Sequence, residues 1–165
     1  EKLEEASYLA AKCHSMMSPR YSLDQSETNK AIEKLQGFID RFPDSKFLPE
    51  ANASVKVLRE KIEKKVFENA KQYNTISDFK SALVALDNFI IEFPGTPFRE
   101  EAMYYKLDSA YNLAINSVPS KMEERLQNAK TAYSQLLKAF PSTKYKAQAD
   151  DMLVRIENDL KQYIK

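Results

Sequence analysis

The chain has 165 residues, 43% of them hydrophobic, with 25 Lys and Arg against 24 Asp and Glu and a net charge of +1. That balance argues against a nucleic-acid surface, which needs a basic excess, and no apolar run approaches the ~20 residues that span a bilayer. With only 2 glycines and 30% charged residues, and little β-branched alternation, the composition points to helices with solvated outer faces.

In chain order, the first predicted helix covers 1–17, with Leu3, Ala6, Ala10, Cys13 and Met17 as its apolar stripe. It opens at Glu1 without a preceding Met or a visible signal peptide, which reads as a fragment or processed chain. Cys13 is the only cysteine, so no internal disulfide forms. It reads as a small buried apolar side chain, because Lys12 and the lack of a preceding apolar stretch exclude a lipobox. His14, the only histidine, has no acid or nucleophile placed beside it by any motif and reads as structural. A linker over Met17–Asp24 leads to a helix over 25–42, where mid-helix Gly37 implies close helix contact. The third helix, 47–74, carries Ile62, Val66, Ala70 and Tyr73 on one face. Asp78 is placed to cap a fourth helix, 78–93, and Gly95 falls in the following turn. A fifth helix over 98–116 gathers Met103, Tyr104, Tyr105 and Tyr111, most of them suited to packing between repeats. After a linker over Ser117–Ser120, Ser120-Lys121-Met122-Glu123 fits a capping box for a sixth helix, 121–140. The last helix, 145–163, has Ala149, Leu153, Ile156 and Leu160 on one face.

A repeat organises these helices. Three segments end in Phe-Pro, at Phe42-Pro43, Phe93-Pro94 and Phe140-Pro141. Aligned there, Ala31, Ala82 and Ala129 coincide, as do Leu35, Leu86 and Tyr133, and Phe38, Phe89 and Leu136 with the residue after each. Beyond the proline, Ser45, Thr96 and Thr143 coincide, then Phe47, Phe98 and Tyr145, then Ala51, Ala102 and Ala149. Each copy reads as a helix stopped by proline, a tight turn and a second helix. The Ser or Thr is positioned to accept from N–H groups opening that second helix. Pro49 and Pro97 fall near first turns, where proline is tolerated.

The pattern resembles the tetratricopeptide repeat (TPR), in which the second helix of each pair carries Ala, then a large residue, and ends at Pro. Ala82, Leu86 and Pro94 stand at those offsets, and Ala70 and Tyr73 match first-helix positions. The prolines are 51 and 47 residues apart, against 34 in an ordinary TPR, so longer helices or loops absorb the difference. The expected fold is an all-α, TPR-like α-solenoid of about seven helices: three pairs and a terminal helix. It forms a single repeat domain with repeats near 1–46, 47–97 and 98–144 and the terminal helix over 145–165.

One stretch is more specific. Met16-Met17-Ser18-Pro19-Arg20-Tyr21-Ser22-Leu23-Asp24-Gln25-Ser26 runs on to Ala31 and Phe38-Ile39-Asp40-Arg41-Phe42-Pro43-Asp44-Ser45. This resembles the BamD family, TPR lipoproteins of the outer-membrane β-barrel assembly machinery, closely over 16–51 and as repeat pattern beyond. The resemblance implies a non-catalytic scaffold at the periplasmic face of the outer membrane, in a Gram-negative bacterium. It implies binding to the POTRA domains of the barrel-inserting subunit and to accessory subunits, with unfolded barrel substrates received by the N-terminal half. It also implies that this chain is the C-terminal portion, that the lipid-bearing cysteine lies upstream, and that Cys13 is not that cysteine. A different periplasmic TPR adaptor, in envelope constriction or peptidoglycan coordination, is the alternative.

The candidate contact residues are Arg20, Tyr21, Asp24 and Gln25 in the loop and Arg59 and Lys61 on the third helix. Arg and Tyr are typical interface anchors. Asp24 is placed to cap the next helix and Gln25 to bond backbone. Either Arg20 and Asp24 pair inside the loop and brace it, or Arg20 meets a partner. Arg59, Lys61, Lys64 and Lys65 alternate with Glu60 and Glu63, a pattern that reads as a self-paired solvated face or as a dock for an acidic partner. Glu4-Glu5, Glu100-Glu101 and Glu123-Glu124 suit helix starts. No residue spacing fits zinc or calcium, so no cofactor and no catalytic residue is expected.

Overall fold

A computed structural model describes residues 2–163. Among them are seven α-helices: α1 (Lys2–Met16), α2 (Ser26–Arg41), α3 (Leu48–Thr75), α4 (Phe79–Glu92), α5 (Arg99–Ile115), α6 (Pro119–Ala139) and α7 (Lys146–Leu160), followed by a 3₁₀ turn, Lys161–Tyr163. The fold is all-helical and TPR-like, as the sequence pattern predicts. The helices group into two compact units, Glu1–Lys65 and Val66–Lys165, with α3 continuous through the boundary. No described helix is long and apolar enough to cross a membrane.

The repeat positions make the cores. Ala31, Ala51, Ala82, Ala102, Ala129 and Ala149 all have 0% exposure. A methyl at each contact lets neighbouring helices approach closely, and the larger residues one and two turns on fill the remaining space. In the first unit Tyr8, Leu35, Phe38, Val55 and Leu58 surround Ala11, Ala31 and Ala51. In the second, Phe67, Leu86 and Phe89 form one cluster, and Leu107, Leu126, Leu136 and Ile156 anchor another. Burying each such side chain contributes roughly 1.5–3 kcal/mol.

The turn after each Phe-Pro works slightly differently from a helix cap. Ser45 Oγ accepts from the Phe47 N–H (3.1 Å), Thr96 Oγ1 from Phe98 (3.3 Å) and Thr143 Oγ1 from Tyr145 (3.2 Å). The hydroxyl thus closes a bend two residues long just before the helix. The aromatic it positions then stacks on the first helix of its pair: Tyr8 on Phe47 (centroids 4.5 Å apart), Phe67 on Phe98 (5.6 Å) and Tyr104 on Tyr145 (4.2 Å), all within 10° of parallel. A glutamate one turn ahead of the aromatic completes the clasp in two of these pairs. Glu4 accepts from the Ser45 hydroxyl, and Glu100 accepts from the Thr143 hydroxyl (2.6 Å) and the Lys144 N–H (3.0 Å).

Several expectations are corrected. In α1 the buried residues are Tyr8 and Ala11, while Leu3 (60% exposed), Ala6, Ala10, Cys13 and Met17 face outward. The clasp pins Glu4 and Tyr8 inward, which rotates the apolar stripe and Cys13 to the surface. In the second half of α3 Ala70 is buried as expected, but Phe67 is the other buried residue, Ile62 and Val66 are half-buried and Tyr73 is exposed, because Phe67 is the residue that stacks on Phe98. Ser120 is no cap: Pro119 takes the first helical position, where its fixed φ and missing N–H cost nothing, and α6 starts a residue before the proposed box. Glu123 and Glu124 therefore lie beyond the first turn of α6, which holds no acid. A Cβ on Gly37 would meet nothing within 4 Å, so close helix contact does not explain that glycine. Asp78 does cap α4, its carboxylate accepting from the Ser81 N–H at 3.2 Å. The α3–α4 turn needs a left-handed residue, and Ser77 (φ 64°) supplies it.

Two outcomes follow. Gly37→Ala gains helix propensity without a clash and should stabilise the chain by about 0.5–1 kcal/mol in urea denaturation; a loss would show that the space beside Gly37 is not free. The Thr143 hydroxyl holds the Glu100 carboxyl below the usual glutamate range, burial opposing and Lys144 assisting. A depressed folded-state pKa stabilises above the ordinary glutamate pKa, and that contribution disappears as pH falls through the folded value. Glu100→Gln should therefore flatten the stability–pH curve on its acid side; an unchanged curve would remove Glu100 from that role.

Candidate functional site

The loop between α1 and α2 has few ways to satisfy its own backbone, because residues 17–25 form no helix or sheet. One buried side chain does most of this. Gln25, 7% exposed, points its Nε2 at the carbonyls of Arg20 (3.0 Å) and Leu23 (2.9 Å), with those of Tyr21 and Asp24 at 3.3 and 3.4 Å. Its Oε1 accepts from the hydroxyl of fully buried Thr28 at 2.8 Å. Thr28 Oγ1 also lies 2.7 Å from Ser18 Oγ. Since the Thr28 proton is committed to Gln25, Ser18 must donate to Thr28. Lys61 Nζ in turn donates to Ser18 Oγ at 2.7 Å. The result is a directed chain from the α3 ammonium through two hydroxyls and an amide to the loop carbonyls. Each bond polarises the next, and the chain starts on a full charge.

Two more lysines of α3 finish the brace. Lys65 Nζ donates to the Leu23 carbonyl at 2.7 Å, and Lys64 Nζ sits 4.5 Å from the centroid of the Tyr21 ring. Lys61, Lys64 and Lys65 stand at i, i+3 and i+4, so one face of the helix presents all three to the loop. Asp24 accepts from the Ser26 N–H at 2.9 Å, an Asx turn at the start of α2, and the Ser26 hydroxyl first, then this backbone bond and nearby Lys65, hold its carboxyl below the usual range.

This arrangement sorts the predicted residues. Gln25 is an internal brace, Lys61 is the head of the relay, and Asp24 satisfies one N–H at the entry to α2 without being its N-cap residue, which is Gln25. The expected Arg20–Asp24 pair does not form, because Asp24 is engaged with Ser26. Arg20 is exposed and has no ion-pair partner among the described residues. Tyr21 is half-buried. Arg59 lies exposed on α3, away from the face that holds the loop, and is not brought into this group. The self-paired reading of the basic cluster also fails in part. Only Lys56–Glu60, at 4.0 Å, pairs along that stretch, while Lys61, Lys64 and Lys65 turn to the loop. The sequence reading missed Ser18 and Thr28 as relay members. A threonine three residues after a glutamine at a helix start was the available signal. Among the described residues no group of His, Cys, Asp and Glu could hold a metal ion.

Removing the brace should be costly. Gln25→Ala leaves the Thr28 hydroxyl and the part-buried carbonyls of Tyr21 and Asp24 without this partner, while those of Arg20 and Leu23 keep the Leu23 N–H and Lys65, and should lower stability by about 1–3 kcal/mol. Gln25→Glu, which sets a carboxylate against carbonyls, should be worse. Urea denaturation together with proteolysis of the 17–25 loop measures both; a loss under ~0.5 kcal/mol would mean that the relay is not what orders the loop.

Comparison with known families agrees with this architecture. A tetratricopeptide-repeat family matches residues 5–45, the α1–α2 pair. No curated protein matches the chain. The outer membrane lipoprotein family YfiO matches residues 60–163, downstream of the 16–51 stretch that carries the BamD resemblance most closely. That match spans more than half of the sequence, and the chain therefore belongs to the YfiO (BamD) family of outer membrane lipoproteins.

Proposed function

We propose that the protein is a non-catalytic scaffold of outer-membrane β-barrel protein assembly at the periplasmic face of the membrane. Its partners are the POTRA domains of the barrel-inserting subunit and accessory subunits, with unfolded barrel substrates as a further ligand of the full assembly. Anchoring is by lipid on a cysteine other than Cys13, which lies inside α1 behind Lys12. The family and the TPR-like fold support the scaffold role.

The observation that carries the placement of a contact is the braced α1–α2 loop. Its backbone is immobilised from within and from α3, yet Arg20, Met17 and Leu23 project outward, the last two 61% and 48% exposed. An unpaired arginine among apolar side chains on a rigid loop has the composition of an interface anchor. Rigidity matters because a loop already ordered loses little entropy on docking.

Titration of the whole chain with recombinant POTRA domains tests this. Arg20→Ala should weaken binding by about 2 kcal/mol, roughly thirty-fold, with no change in thermal melting. No binding of the unaltered chain at high micromolar POTRA would count against the scaffold reading. Unaltered affinity of the Arg20 variant would move the contact elsewhere.

A further inference from the structure

We propose that the groove between α4, α5 and α6 is a docking site for an extended polypeptide segment carrying an apolar side chain next to an acidic one. The groove lies wholly inside the second unit, encloses about 450 Å³ and falls in the size range of ordinary ligand sites. Ile90, Met103 and Ala132 form an apolar floor, with Met103 and Ala132 almost fully buried. Its charged lining is cationic only: Arg99, Lys106 and Lys138.

These three cations differ in what they have left to offer. Lys106 is occupied, its Nζ 2.6 Å from the Asp87 carboxylate. Arg99 places one nitrogen, Nη1, against the carbonyls of Ile90 (3.1 Å) and Pro94 (3.4 Å). Those bonds fix the guanidinium plane and leave its other donors unused. Lys138 is exposed and has no ion-pair partner among the described residues. Arg99 opens α5 and Lys138 lies in the last turn of α6, so both stand at the same end of the groove. An apolar slot that ends in a preset guanidinium and a free ammonium is complementary to a side-chain carboxylate beside a hydrophobic anchor. A basic or wholly polar segment would leave the floor unfilled or meet like charge. This site is separate from the braced loop and does not depend on the assembly role.

The test uses the whole chain and a fluorescein-labelled, end-capped peptide of alternating Leu and Glu flanked by Gly-Ser, with two control peptides, Lys for Glu and Ser for Leu. The Leu/Glu peptide should bind, and both controls should bind at least about tenfold more weakly. Raising salt from about 0.05 to about 0.5 M should weaken the complex. Lys138→Glu, a change at an exposed and unpaired position, should cost about tenfold in affinity while leaving the melting temperature unchanged. Methyl resonances of Met103 and Ala132 should shift on binding. Equal binding of the three peptides, no effect of Lys138→Glu, or shifts confined to residues 17–25 would each overturn the proposal. So would absence of binding to the unaltered chain.

Discussion

Close approach of helices at alanine is the constraint on which the other features rest. In each copy of the repeat an alanine stands eleven residues before the Phe of Phe-Pro and another nine after it, and all six are completely shielded from solvent. A larger side chain there would push the helices apart and leave Leu35, Leu86 or Phe89 facing a void, at a cost that grows with the cavity. With the spacing fixed, the aromatic after each turn is carried to stacking distance of the preceding first helix. The Glu–hydroxyl bonds in the first and last pairs then fix the rotation of that helix. Rotation decides which residues reach the surface, as α1 shows by turning its apolar stripe and Cys13 outward.

The long α3 extends the same logic. At α5 the stacking residues Phe98, just before the helix, and Tyr104 are six positions apart, whereas at α3 Phe47, just before the helix, and Phe67 are twenty apart. The difference amounts to about four helical turns, and it lengthens the proline spacing well beyond the ordinary repeat. Those extra turns carry Lys61, Lys64 and Lys65. A standard-length helix would have no segment from which three lysines could reach the α1–α2 loop, so the repeat insertion and the braced loop are one structural feature.

What could be read from the sequence was set by periodicity. Helix number, the proline stops, the buried alanines and the Asp78 cap all depend on neighbours within a turn or two, and the residue pattern records them directly. The α1 stripe misled because apolar spacing gives a face without giving its direction. Tyr8 and Glu4, one aromatic and one charged, define the inward side only through partners some forty residues away. The Arg20–Asp24 pair was a reasonable charge match, but Asp24 has a nearer donor in the Ser26 N–H, and a local backbone bond competes well against a long flexible arginine. The lysine cluster alternates with glutamate in a way that suggests self-pairing. It turns instead to the loop's Ser18 hydroxyl, Tyr21 ring and Leu23 carbonyl, because exposed ion pairs along a helix are weak, whereas unpaired polar groups in a part-buried loop are costly.

The loop thereby separates two tasks that a single side chain could not perform together. Gln25, Thr28 and Ser18 have all their side-chain donors committed to holding the backbone and offer none to a partner. Arg20, Leu23 and Met17 enter that hold only through their backbone, and their side chains remain at the surface. Lys64 lies between these classes, since its ammonium covers one face of Tyr21 while the ring stays half-exposed. A positive charge against the ring makes the tyrosine edge a better partner for an acceptor and a poorer one for another cation. Any protein that docks on this loop and covers Tyr21 would therefore gain by bringing acceptor groups, and the order already built into the backbone would make that recognition selective in geometry as well as in charge.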